Sequence, residues 1–313
     1  MDVVPNPIDR YSPFRERYER RRQRWFDGPH ESWESFDRVI ERDVVLNIAR
    51  SHLRTGGFLQ SAKAASSLQH PNILPVYDLG IAGDHTPFYT TPPIRGKTLH
   101  HLLPDSRYCD PSSRPELSPI LPLAWALRDS CRALEYAHQR GILHLDLHPD
   151  RLLIGEDYHV ILDVDGWAKA GPRDGGEGCV GHDVGRPAYM SPEHINEAGP
   201  GVGPATDVFG LGGILYFILF GTPPNHLEGP SNPLKVIKAI TGRAFEPRRP
   251  GTIRPGITSV AARGTIDGLV AICLKALSYE PEARYQSAAK MGEAIEECEA
   301  RSRSSRTRWS WWR

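Results

Sequence analysis

Gly141-Ile-Leu-His-Leu-Asp-Leu-His-Pro-Asp-Arg-Leu-Leu-Ile154 and, after a short gap, Val160-Ile-Leu-Asp-Val-Asp-Gly-Trp-Ala-Lys169 decide how this chain is read. On residues alone, His144, Asp146, His148 and Asp150 alternate, a spacing that offers a set of metal ligands. Pro149 and the Leu-rich flanks instead suit a loop between two buried elements. Leu152–Ile154 and Val160–Leu162 read as short strands around a turn. Upstream, Leu123, Leu127, Cys131, Leu134 and Ala137 recur every three or four residues, as on one buried helix face. Downstream, residues 170–187 form a Gly-rich loop, and helices are predicted at about 207–220 and 283–299.

The N-terminal part reads differently. From Tyr18 to about Arg50 the pattern is strand-like, with Arg42–Ala49 the clearest strand. Residues 56–69 suit a helix stopped at His70-Pro71. Strands are expected at 73–79 and 87–91, and Pro92-Pro93 then breaks the chain. A β-rich lobe followed by a larger helical lobe, joined near residue 92, is the expected architecture.

Composition limits the alternatives. Thirty-eight Lys+Arg balance 38 Asp+Glu over 313 residues, which argues against a nucleic-acid binder using its whole surface. At 39% hydrophobic and 24% charged, the chain can bury a core. The five cysteines are scattered, odd in number and without a C-x-x-C pair, so free thiols in a reducing cytoplasm are expected. The first 24 residues are polar and Arg-rich, without a signal-peptide core. Leu211–Phe220, the longest apolar run, is about half of what spans a bilayer. Only seven of the cations are lysine, and none precedes Lys63.

The two opening stretches resemble the catalytic and magnesium loops of protein kinases, H-R-D-L-x-x-x-N and D-F-G. The resemblance to bacterial Ser/Thr kinases covers about residues 18–298. It continues in Gln69–Tyr77, in Gly185–Glu193, in Thr206–Tyr216 with Gly221–Pro224, and in Ala271–Leu277 with Pro281–Gln286. It implies an α+β fold of two lobes, about 18–92 and 96–300, after a flexible lead over 1–17 and before an Arg/Trp tail over 301–313.

Phosphoryl transfer needs positioning and charge neutralisation, so each matched position can be asked whether its residue still serves. Trp25, Asp27 and His30 stand where the resemblance implies phosphate-loop glycines, and their bulk obstructs a close backbone approach. Asn47 replaces the phosphate-pairing lysine, and Ser61 replaces that lysine's glutamate partner. Val45 narrows the adenine slot. With no lysine before Lys63, only an arginine such as Arg24 is available as a substitute.

The catalytic loop keeps His144 and Asp146, the latter at the general-base position. Leu145 replaces the arginine that receives a phosphorylated activation loop, and His148 the lysine after the base. Arg151 replaces the magnesium-binding Asn, and a guanidinium repels a cation. Val164 falls on the magnesium carboxylate, with Gly166 at the glycine. Asp163 or Asp165 would serve the metal only if the loop shifted by one residue. Structural positions are kept: Glu193 with Arg284 as a buried pair, and Asp207 bracing the catalytic loop. Residues 166–188 hold no Ser, Thr or Tyr, and Arg186 replaces a substrate-site threonine.

Fold positions kept and chemistry positions lost imply a pseudokinase: a scaffold or allosteric partner of another signalling protein. No cofactor is assigned. The alternative is an atypical ATP-dependent Ser/Thr kinase with Asp146 as base, magnesium on Asp163 or Asp165, and Arg151 on phosphate. A nucleotide sensor without transfer is the third reading, because Pro92 keeps a hinge carbonyl and Ile94 a hinge N–H. The 301–313 tail, with five arginines and three tryptophans, reads as a solvated, disordered end or as a membrane-surface segment. A cytoplasmic location and no nucleic-acid partner are expected.

Overall fold

The computed structural model describes residues 14–24, 30–50, 55–82, 85–103, 120–170, 186–195, 201–225, 233–241 and 260–310. A one-turn helix α1 (Phe14–Arg17) leads into β1 (Tyr18–Arg24), β2 (His30–Asp37) and β3 (Arg42–Ala49). After α2 (Thr55–Ser66) come β4 (Asp78–Ile81) and β5 (Pro87–Thr91). These five strands form an antiparallel sheet in the order β1-β2-β3-β5-β4. β3 is central, and Val44–Ile48 are buried without interruption, as expected for a strand covered on both faces. β1 lies at an edge, and Arg20, Arg21 and Arg22 keep that edge charged and solvated.

Arg17 reaches Asp37 at 2.9 Å and Asp78 at 2.7 Å, which joins α1 to the sheet, while residues 1–13 of the expected lead lie outside the described residues. The strand expected at 73–79 is displaced. Ile73 makes only an isolated bridge to Leu162, and the strand itself starts at Asp78. Residues 72–74 instead lie against the second lobe, where Leu162 N–H donates to the Asn72 carbonyl and Leu74 N–H to the Leu162 carbonyl.

The second lobe begins with β6 (Lys97–Thr98) and α3 (Leu99–Leu102), then α4 (Ile120–His138) and β7 (Ile142–Leu143). A 3-10 turn over Pro149–Arg151 precedes β8 (Leu152–Ile154), β9 (Val160–Leu162) and β10 (Ala168–Lys169). A second 3-10 turn (Pro187–Tyr189), α5 (Pro192–Ile195), α6 (Pro204–Phe220), α7 (Pro233–Thr241), α8 (Val260–Ala276) and α9 (Ala288–Ser310) complete it. α7 was not legible in the sequence, and α8 only in its second half.

α6 is the axis of this lobe. Every residue from Thr206 to Phe220 is buried, the pattern of a helix surrounded by others. Gly221, at φ 81°, ends it in the left-handed conformation that glycine adopts without strain. α9 extends well beyond the expected 299 and through the boundary drawn at residue 300, so 301–310 are helical rather than irregular. Among the described residues, no helix is long and apolar enough to cross a membrane.

Candidate active site

The site is assembled on Asp207, near the start of α6. Its carboxylate accepts the backbone N–H groups of His144 and Leu145, both at 2.8 Å, and lies 2.7 Å from His138 Nε2. Burial alone would raise this carboxyl's pKa. The His138 contact and the loop amides outweigh burial and hold it below the usual range. The loop turns sharply here, with Leu145 at φ 61°. The buried His144 ring packs on Trp167 at 4.6 Å, and burial pushes its pKa down to about 4, so the imidazole is neutral.

Arg151 occupies the centre. Its Nε and Nη2 donate to Asp146 Oδ2 at 2.9 and 2.7 Å, and its Nη1 donates to Asp165 Oδ2 at 2.7 Å. Asp163 Oδ2 is 3.5 Å from the same Nη1. Asp163 and Asp165, on the turn that follows β9, both reach this guanidinium, while Val164 between them is fully buried in the core. The loop shift expected for Asp163 or Asp165 to face the site is therefore unnecessary: both face it already. Asp165 is held below the usual carboxylate range because His30 and Arg151 together outweigh burial. Asp163 is pushed up by burial and by the adjacent Asp165. Arg151 stays charged, its burial outweighed by Asp146, Asp165 and Asp163.

This arrangement does not fit a magnesium ion. The carboxylates that would ligate one converge on a fixed cation, and that cation would face the metal at contact distance. Nor is Asp146 a free base, since it accepts two charge-assisted hydrogen bonds from Arg151. Among the described residues, no cluster of three or more His, Cys, Asp or Glu is arranged to hold a metal.

The sheet supplies the roof. Asn47 and Ser32 are cross-strand partners, and Ser32 Oγ donates to Asn47 Oδ1 at 2.5 Å, so the residue at the lysine position is engaged within the sheet. His30 Nδ1 comes within 3.6 Å of Asp165 Oδ2, and Tyr89 Oη donates to Asp165 Oδ1 at 3.3 Å. Ser61 on α2 accepts the Gly166 N–H at 3.3 Å. The sheet and α2 therefore grip the magnesium-loop segment directly. Trp25 and Asp27 lie outside the described residues. Toward the mouth, Val45, Leu153, Pro92 and Ile94 line a cleft of about 530 Å³, open mouth included. Arg24 lines it too, 4.0 Å from Glu34.

Two ion pairs frame the outer loop. Arg284 donates to both oxygens of Glu193 at 2.7 and 2.8 Å and to the carbonyls of Ser278, Tyr279 and Ala205, satisfying a buried guanidinium. Arg186 pairs with Asp150 at 2.5 Å. With His148 and Arg186 beside it, Asp150 is held down to about 2 despite its burial. Sequence reasoning missed Tyr89 and His138, since neither sits in a pattern that announces its partner. Ser32 could have been found from the register that pairs it with Asn47.

The fold is two-lobed, a β-sheet lobe and a helical lobe with a cleft between them. The sequence profile described as the protein kinase domain matches residues 49–288, and the chain belongs to that family. It is 31% identical over 296 residues to the serine/threonine-protein kinase PknD of Chlamydia felis, covering 86% of this chain and 30% of the relative. It is also 31% identical to the PknB kinases of Mycobacterium leprae (85% of this chain, 40% of the relative) and Mycobacterium tuberculosis (88% and 42%). The chain thus spans less than half the length of these relatives. The profile match begins at the last residue of β3, so most of the three roof strands lie outside it.

Proposed function

We propose that this kinase-family domain is a pseudokinase that acts by binding another signalling protein rather than by transferring phosphate. One observation carries the reading: the Arg151 guanidinium stands among Asp146, Asp163 and Asp165 and engages the base and both metal-side carboxylates at once. The roof supports it, since Asn47 supplies no cation and His30 comes to Asp165 where a phosphate loop would need space. The lobes are bridged through Asp165 by the chain's own side chains. Such a domain presents a fixed surface, as a scaffold or allosteric partner requires.

Calorimetric titration with ATP, with and without magnesium, tests this. No magnesium-dependent binding and no radiolabel transfer to protein are expected. Magnesium-dependent binding that disappears in Asp163→Ala or Asp165→Ala would overturn the proposal.

A further inference from the structure

The cleft stays open between the lobes even though Asp165 is taken by the chain's own side chains. Val45 on β3 and Leu153 on β8 line it from the two lobes, with Pro92 and Ile94 along the connecting segment. At about 530 Å³, open mouth included, it is of the size that takes a small molecule. Apolar side chains contributed by two facing lobes make a slot, and a slot suits a flat ring.

The charges along this slot are unevenly satisfied. Among the described residues that line it, Asp150 and Asp163 are acidic and Arg24 is the one arginine. Asp150 is paired, with Arg186 at 2.5 Å and with His148 Nδ1 at 3.5 Å. Arg24 lies 4.0 Å from Glu34, and His30 is turned to Asp165. Of the three carboxylates around Arg151, Asp163 is held least closely. Its Oδ1 accepts the Val164 N–H at 2.7 Å, but its Oδ2 is 3.5 Å from Arg151 Nη1, a nitrogen that donates to Asp165 at 2.7 Å. Asp163 is also partly exposed toward the cleft. Burial and the adjacent Asp165 push its carboxyl up, the sign of an anion short of a counter-charge. An ammonium within hydrogen-bonding reach would supply that charge. A phosphate chain in the same place would meet Asp163 and Asp165 with Arg151 already engaged, and be repelled.

We propose that the cleft is a binding site for a small aromatic amine, a planar ring carrying a protonated amino group, with the ring between Val45 and Leu153 and the ammonium on Asp163. This deepens the non-catalytic reading and rests on it in one respect: Arg151 stays on Asp146 and Asp165 and is not released to phosphate. The slot is already formed, so the ring enters without moving the lobes.

The test is calorimetric titration of the full chain, at neutral pH and without magnesium, with three indoles that share a ring and differ in charge. These are tryptamine, the neutral tryptophol and indole-3-propionate. Tryptamine should bind about tenfold or more tighter than tryptophol, with indole-3-propionate weakest. Asp163→Asn keeps the shape and removes the charge, so it should bring tryptamine down to the level of tryptophol and leave tryptophol unchanged. Val45→Phe should weaken all three by filling the slot. Thermal unfolding checks that both variants fold, and the charge series on the native chain decides the matter even where one does not. Equal binding of the three indoles, tighter binding of indole-3-propionate, no binding of any of them, or a preference that survives Asp163→Asn would overturn the proposal. ATP bound with magnesium would instead overturn the non-catalytic reading, and the amine preference, read without metal, stands or falls separately.

Discussion

Asp165 accepts a hydrogen bond from Arg151 at 2.7 Å, joining the aspartate that precedes Gly166 to the arginine that ends the catalytic loop. Arg151 is fully engaged by carboxylates, and its side chain is 17% exposed. Arg151→Asn should therefore leave Asp146, Asp163 and Asp165 without their cation, at a cost of about 3–5 kcal/mol. Millimolar magnesium should restore part of that loss in the variant and do nothing to the native chain. Thermal unfolding with and without the metal checks both statements. Identical magnesium responses would show that the guanidinium does not stand in for a metal.

Glu193 and Arg284 make the complementary case, since their pair is structural. Removing either partner, as in Glu193→Gln or Arg284→Met, leaves a buried group unsatisfied and should cost about 3–5 kcal/mol in urea unfolding. The double variant should cost less than the sum of the two singles. Strict additivity would mean that the pair is not coupled.

His144 gives a pH dependence whose sign can be worked out. Its pKa falls from 6.5 to about 4 on folding, so the unfolded chain takes up the proton first as pH drops. Stability should be complete above pH 6.5 and decline between 6.5 and about 4, by roughly 3 kcal/mol. Urea midpoints for the native chain and for His144→Phe across pH 7.5 to 4.5 read out the difference. The variant should show the shallower decline.

Gly166 has φ 107°, and a Cβ there would lie 2.7 Å from the His144 carbonyl and 2.9 Å from Asp146 Cβ. Gly166→Ala should destabilise by about 2–4 kcal/mol through backbone strain and overpacking. Hydrogen exchange should show the loss at residues 144–146 and 163–168 first.

How much of this was legible in the sequence follows from the range of each interaction. The lobes, β5, α4 and α6 announce themselves because hydrophobic period and turn residues are local signals. Asp207, Glu193 and Arg284 were legible because their motif spacing carries the pairing. The cleft was legible residue by residue but not as a whole. Losses at Asn47, Ser61, Val164 and Arg151 could each be read, yet not that Arg151 gathers three carboxylates, since that depends on where β9 ends relative to the 3-10 turn. The register with the family pattern puts Val164, not Asp163 or Asp165, at the metal position. That both aspartates reach Arg151 comes from the bend and turn at 164–166, which periodicity does not announce. Tyr89 and His30 meet Asp165 only through tertiary folding.

A pocket that closes around a small molecule turns the concentration of that molecule into a shape, and so works as a gauge. Asp165 is approached from above by Tyr89 and His30 and from below by Arg151, all of them permanent parts of the chain. On the proposed reading, a joint made this way takes no reading of nucleotide concentration. Whatever engages the surface spanning the two lobes should then meet the same contour in a starved cell as in a well-fed one, and its occupancy would follow the abundance of the protein alone.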